Sequence, residues 1–488
     1  MSEQSKLRRT ARAFIASAFQ ALEADHVIPT PSFHPYVAVG RDYFGDDVMP
    51  LAEYVALESQ LRETYPERFS EPLKRRHTEF PSIYIFSFLE ACVARCSSDH
   101  RFDVDSPSVD ESIDELIAVL EASSYEVVCC RHVSHLATAS GNEEVVGDIT
   151  IVPEPEGFGG LNDRIQREIR GAARGWNRDD PRPYDPPHSL LIARETTDVA
   201  DPYAAVERLS QRLERFLFIS RLLTAGTVQS TYEVSGTTTL VTRLSPHMRD
   251  FREPRTMLVR RTVRLSAADS AAYEALGKLI DAADVKREGM VATSFDVALG
   301  KFNRSYRGGS PFENLVDLAT ALEATFLGGE KETEGLTLRL RTRVAALLAT
   351  DEDSAQSLFS DVGQLYGLRS KLVHGGQIRE RDLRRIIGRI STVPADDVES
   401  KFGVALGHAI DRMRDIVRRA ILARLCLSVG SEPLWPFAGE TLVDAILTDD
   451  IRRGEWRLRW HSHLASMGAS DSALRSRSAV DFLSPEDH

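Results

Sequence analysis

Residues 364–390 read QLYGLRSKLVHGGQIRERDLRRIIGRI, and this stretch decides how the C-terminal half folds. At about 100° per residue, Leu365, Leu368 and Leu372 line up as one apolar stripe, while Tyr366, Ser370 and His374 form a polar ridge at four-residue spacing. The pattern predicts a helix that packs one face and leaves another for chemistry. Arg369 stands at the border of the two faces. Gly375-Gly376 is expected to end the helix, since glycine adopts the left-handed conformation of a helix stop at no steric cost. His374 is therefore placed at an exposed helix end. Directly after it come Arg379, Arg381, Arg384, Arg385 and Arg389, opposed by Glu380 and Asp382. On one helix Arg381, Arg385 and Arg389 share a face, which reads either as a phosphate track or as an ordinary solvated surface.

Working outward, the surrounding sequence is helical from about residue 266 to 430. Ser266 is placed to cap a helix beginning near Asp269. SPFENLVDLATALEATF spaces Leu315, Leu318, Leu322 and Phe326, and GLTLRLRTRVAALLA spaces Leu336, Leu340, Val344 and Leu347. KFGVALGHAIDRMRDIVRRAILARL spaces Phe402, Leu406, Ile410, Met413, Val417 and Ile421. Amphipathic helices with short connections make a bundle. Glu323 is an acid at the edge of a mostly apolar helix. It is read as a partner for an arginine such as Arg341 or Arg343, or as a group that orients Arg369 or His374. Residues 431–488 read as a C-terminal appendage and tail.

Residues 1–265 alternate between helical and strand periods and read as a mixed α and β module. GDITIVPEPEG puts Ile149 and Ile151 on one face, SLLIARE reads as a strand, and TYEVSGTTTLVTRL reads as strands around a Ser-Gly turn. PYAAVERLSQRLERFLFISRLLTAG carries Val206, Leu209, Leu213, Phe216 and Leu217 at helical spacing, with Gly226 at the expected C-terminal cap. The proline-rich, charged segment 176–188 reads as a loop that subdivides the module. The fold class is thus α+β and multi-domain: 1–265, then a helical bundle over 266–430, then 431–488.

Composition narrows the function classes. At 488 residues, with 42% hydrophobic and 27% charged side chains, the chain has the make-up of a folded protein of two or three domains. Its net charge of −13 argues against wholesale coating of nucleic acid, so any phosphate contact must be local. The N-terminal residues read as an amphipathic helix rather than a leader, and no run of some 18 apolar residues suggests a membrane span. A cytoplasmic protein without membrane contact is expected. The five cysteines, Cys92, Cys96, Cys129, Cys130 and Cys426, read as free thiols. Cys92-x3-Cys96 with Cys129-Cys130, His132 and His135 offers zinc-type ligands at a spacing that fits no common zinc module, so no metal or other cofactor is assigned. VALGKF and EALGKL lack the first glycine of a phosphate loop, and neither a His-Glu-x-x-His helix nor a Gly-x-Ser-x-Gly elbow is present.

An arginine, four residues and a histidine on a bundle helix resemble the signature of the HEPN superfamily, and LYGLRSKLVHGG resembles its Apea-like branch. ALEATFLGGE and LRLRTRVAALL are similar to that branch's earlier helices, so the resemblance covers roughly residues 270–430. It implies an endoribonuclease that needs no metal and cleaves RNA by attack of the 2′-hydroxyl on the adjacent phosphorus, leaving a 2′,3′-cyclic phosphate. His374 would be the general acid or base and Arg369 the phosphate ligand, with Ser370 and Tyr366 supporting. Ser370 departs from the Asn, Asp or His that many such motifs carry after the arginine. Residues five apart point about 140° apart on a straight helix, so a homodimer with facing motif helices is expected to complete the site. The implied setting is anti-phage defence by abortive infection, with tRNA or mRNA as substrate and a phage-derived trigger. The alternative is a non-catalytic HEPN scaffold that dimerises while its N-terminal module binds a protein or nucleic acid.

Overall fold

The computed structural model describes residues 3–29, 44–69, 74–75, 78–79, 83–97, 100–153, 161, 165–166, 169, 187–198, 202–224, 228–241, 247–251, 262–285, 293–307, 309–328, 335–373, 378–429 and 443–469. The described chain starts with helices α1 (Glu3–Ala24), α2 (Ala52–Thr64), α3 (Pro66–Phe69), α4 (Ile83–Cys96) and α5 (Pro107–Glu121), with a short antiparallel pair of strands, β1 (Lys74–Arg75) and β2 (Thr78–Glu79), between α3 and α4. Along α1, Leu7, Ala11, Phe14, Ile15, Ala18 and Leu22 recur at three- and four-residue intervals, and all are buried. They meet Tyr54, Leu57, Phe88 and Leu116 in a core of their own. Glu115 ties this layer to a distant part of the chain by accepting a hydrogen bond from the Leu240 amide at 2.6 Å.

Strands β3 (Ser124–Ser134), β4 (Leu136–Thr138), β5 (Glu144–Val146), β6 (Ile149–Pro153), β7 (His188–Asp198), β8 (Gln229–Thr237), β9 (His247–Asp250) and β10 (Val263–Leu265) come next, with α6 (Pro202–Leu223) between β7 and β8. Among the described residues, six strands form an antiparallel sheet in the order β5-β6-β7-β3-β8-β9, and β10 pairs with β4 in parallel. The central strand β3 reads as a nearly continuous apolar run because both of its faces are covered. Val127 and Cys129 face α6, while Val128 and Cys130 face Leu161, Ile165 and Ile169. The Ser235-Gly236 pair is not a turn: it lies inside β8, opposite Cys129 and Val128. Gly226 and all of the loop at 176–188 except its last two residues lie outside the described residues.

The helical half comprises α7 (Ser270–Val285), α8 (Ser294–Arg304), α9 (Pro311–Phe326), α10 (Leu336–Leu348), α11 (Ala355–Val373), α12 (Glu380–Ile387), α13 (Ala395–Ser400), α14 (Phe402–Leu427), α15 (Val443–Thr448) and α16 (Asp450–Ser466). Ser266 and Asp269 form a reciprocal capping box, as do Thr293 with Asp296 and Ser310 with Glu313. Helix α6 belongs to both halves. Its Leu209, Leu213 and Leu217 pack into one core with the sheet's Val127 and Leu191 and with Leu276, Leu318 and Ile416 of the bundle. That core runs without a break through residue 265. Trp456, Trp460 and Leu464 of α16 join it as well, so this helix is packed against the bundle.

Helix α14 is buried on every side from Ala405 to Ala423, its charged residues included. Arg412 donates to Asp353 at 2.8 Å and to Asp361 at 2.9 Å, while Arg419 donates to Asp353 at 2.5 Å and Arg418 to Asp415 at 2.7 Å. Burial pushes the Asp415 carboxyl upward, but Arg419, Arg418 and Arg412 outweigh it and hold the group at about 2. A second, partly buried array ties the sheet to the bundle. Arg131 donates to Glu233 and, at 2.8 Å, to Glu214. Glu214 also accepts from Asn303 at 2.9 Å and pairs with Arg307 at 2.5 Å.

Candidate functional site

Helix α11 is held by two contacts that the apolar stripe does not supply. Asp361 accepts from the Ser391 amide at 3.0 Å and from Arg412, which anchors the first half of the helix to α14. Gly363 lets the Arg341 guanidinium lie across the helix: a Cβ there would sit 2.6 Å from its central carbon. Leu365 and Leu368 are buried and Leu372 packs against the same core, as the sequence predicts.

The other face carries the candidate site. Tyr366 is largely buried, and its hydroxyl donates to Glu323 of α9 at 3.3 Å. Burial and the Glu323 charge raise the phenol's pKa, with Arg369 opposing, so it stays a protonated donor at neutral pH. Arg369 lies 3.6 Å from the same Glu323 oxygen and its guanidinium stands 5.7 Å from the Tyr366 ring centre. At 22% exposure it is neither buried nor saturated: its Nε has no hydrogen-bond partner among the described residues. Ser370 comes next, half-buried, and Val373 ends the helix half exposed. His374, Gly375 and Gly376 lie outside the described residues.

Glu323 is thus the partner of Arg369. The alternative partners are engaged elsewhere, Arg343 with Asp444 at 2.7 Å and Arg341 with the Phe359 carbonyl at 2.9 Å. The arginine track is only partly assembled. Arg381 and Arg385 are exposed on α12, where Arg385 pairs with Asp382 at 2.7 Å. The helix stops at Ile387, so Arg389 is exposed beyond its end rather than on the shared face. Gly388 caps the helix, its amide bonding back to the Arg384 carbonyl, and Ile390 beyond it is buried in the same core as Leu383 and Ile387.

The cysteines do not converge. Cys92 and Cys96 sit in the N-terminal helical core, while Cys129 and Cys130 point to opposite faces of β3 because successive strand residues alternate. Burial raises the Cys129 thiol well above its ordinary value and pushes Cys130 and Cys426 up to about 12. His132 lies on the Cys130 side, stacked at 4.7 Å on Tyr232. Three side chains beside the motif helix escaped the sequence reading: Lys301 and Arg304 of α8 and Phe312 of α9. With Leu372, Val373 and Asp317 they line a groove at the end of α11. Their signal was the three-residue spacing of Lys301 and Arg304, which puts both on one helical face.

The chain matches no protein-family model, no curated protein and no solved structure. Among the described residues, no helix is long and apolar enough to cross a membrane.

Proposed function

We propose that the chain is a cytoplasmic, metal-independent endoribonuclease of HEPN type, acting in anti-phage defence by abortive infection. The observation that supports this most is the state of Arg369. Its guanidinium is placed by Glu323 and Tyr366 at separations beyond a hydrogen bond, and its side chain stays 22% exposed on a bundle helix, five residues before His374.

In this reading the 2′-hydroxyl of the RNA attacks the adjacent phosphorus and the bond to the 5′-oxygen breaks, giving a 2′,3′-cyclic phosphate and a 5′-hydroxyl. His374 moves the proton, because imidazole titrates near neutral pH. Arg369 binds the non-bridging oxygens as charge builds on them. Two copies of the chain bring their motif helices together, and residues 1–265 govern activity in response to a phage-derived trigger.

The test incubates purified wild type, Arg369→Ala and His374→Ala with labelled tRNA and mRNA in EDTA, with and without phage-infected lysate, and identifies the fragment ends. Cleavage by wild type alone, ending in 2′,3′-cyclic phosphate, supports the reading. Equal cleavage by all three proteins, or none under either condition, overturns it.

A further inference from the structure

The seam between α9 and α11 continues past Arg369. Glu323 lies beside Tyr366 and Arg369, and Val316 and Phe312, earlier on α9, share a groove with Leu372 and Val373, later on α11. The two helices therefore run antiparallel, with Glu323 and the groove on one line. At 1.5 Å per residue the groove's wall on α11 begins about 4.5 Å beyond Arg369, at Leu372. It is an open cleft of about 360 Å³, and Lys301 and Arg304 of α8 complete its wall.

We propose that this groove binds the nucleotide next to the phosphate held by Arg369, so that the substrate is single-stranded RNA laid along the seam. The proposal rests on the ribonuclease reading and adds to it the residues that hold the neighbouring nucleotide. Single strands are held by an aromatic face under a base together with cations on the backbone. Phe312 is half-buried, its ring packed on the core and bordering the groove. The groove's carboxylates are already engaged: Asp317 pairs with Lys301 at 2.7 Å and lies 3.4 Å from Arg304, while Glu313 accepts the Ser310 amide at 2.7 Å in its helix cap. Arg304 is 71% exposed and keeps donors for a phosphate. Charged side chains interrupt the apolar lining, which suits a base and a phosphate better than an apolar helix. A duplex keeps its bases stacked on each other and could not offer one to Phe312.

The test titrates full-length protein with a fluorescent 12-nucleotide 2′-O-methyl strand, which lacks the attacking hydroxyl, and with the duplex of that strand. Wild type, Arg304→Gln and Phe312→Leu are compared after matched melting temperatures show that each folds, and Arg369→Ala is assayed for cleavage of the unmodified strand. Each groove variant is expected to weaken single-strand binding roughly five- to twenty-fold. Arg304→Gln should also flatten the salt dependence by about 0.7 in the log-log slope, the share of one phosphate contact on a single strand. The duplex should bind more weakly than the strand. Unchanged affinity in both variants, or duplex binding as tight as the single strand, overturns the groove, and if Arg369→Ala then still abolishes cleavage the ribonuclease reading survives without it. Binding that depends on Phe312 and Arg304 with no cleavage under any condition keeps the groove and sinks the ribonuclease reading. No binding of either oligonucleotide overturns the groove.

Discussion

The Glu323 carboxylate lies 3.6 Å from the Arg369 guanidinium, across the seam between two antiparallel helices, and the same oxygen accepts the Tyr366 hydroxyl. One carboxylate therefore fixes two side chains that α11 alone would leave free to rotate. The 3.6 Å separation is longer than a hydrogen bond, so the pairing aims the guanidinium without consuming its donors.

Glu323→Gln should consequently slow cleavage by about tenfold through kcat with little change in KM, since it loosens an aimed group rather than removing a substrate contact. Arg369→Ala should cost roughly 10²–10³ in kcat, the usual effect of deleting a donor to a developing oxyanion. Arg369→Lys should restore little, because an ammonium lacks the planar fork. Single-turnover rates on one RNA measure all three, and equal losses in kcat and KM for Glu323→Gln would argue against an aiming role.

Asp353 accepts from Arg412 and Arg419, all three side chains being buried. Asp353→Asn leaves two buried guanidinium groups short of a counter-charge and should destabilise the protein by about 3–5 kcal/mol. Urea unfolding followed by circular dichroism would show it as a lower midpoint with an unchanged slope. No shift would mean that water reaches the cluster.

Acid should destabilise the chain through its arginine-paired carboxylates. Burial alone would raise Glu214, but Arg221, Arg307 and Asn303 hold it at about 2, against 4.5 for the ordinary group. The unfolded chain therefore takes up protons that the native state refuses. Stability from this group is fully present above pH 4.5 and is lost as pH falls toward 2. A urea midpoint flat above about pH 5 and falling steadily below pH 4.5 is the expected profile, and one unchanged down to about pH 3 would contradict it.

Gly328 closes the turn after α9 against the start of α8. A Cβ there would collide with Ser294 and the Ala324 carbonyl, both near the backbone and unable to swing aside. Gly328→Ala should lower stability by about 1–3 kcal/mol, as overpacking does, read as a fall in melting temperature. Ser294→Ala would not rescue it, since the collision includes the Ser294 Cβ itself.

Much of the helical half was legible in the sequence. Leu365, Leu368 and Leu372 announced their stripe, and Ser266 caps where the sequence places it. Helix α14 was only half legible. Its apolar ladder from Leu406 to Ile421 was plain, but nothing in the order of its arginines and aspartates says that they are buried, as they are. Arg389 was misplaced because periodicity carried the helix forward, whereas Gly388 caps it after Ile387.

The sequence by itself determined where most of the helices and strands lie and which side of each is apolar, because the 3.6- and 2-residue periods and the caps are local properties of the chain. Only the tertiary structure decided that Glu323 faces Tyr366, 43 positions later, that Arg412 meets Asp353, 59 positions earlier, and that Lys301, Arg304 and Phe312 open a groove beside Arg369. The reason is physical. A residue's place in its own helix sets the direction in which it points, whereas its burial, its charge partner and its chemistry depend on which distant element packs against that face.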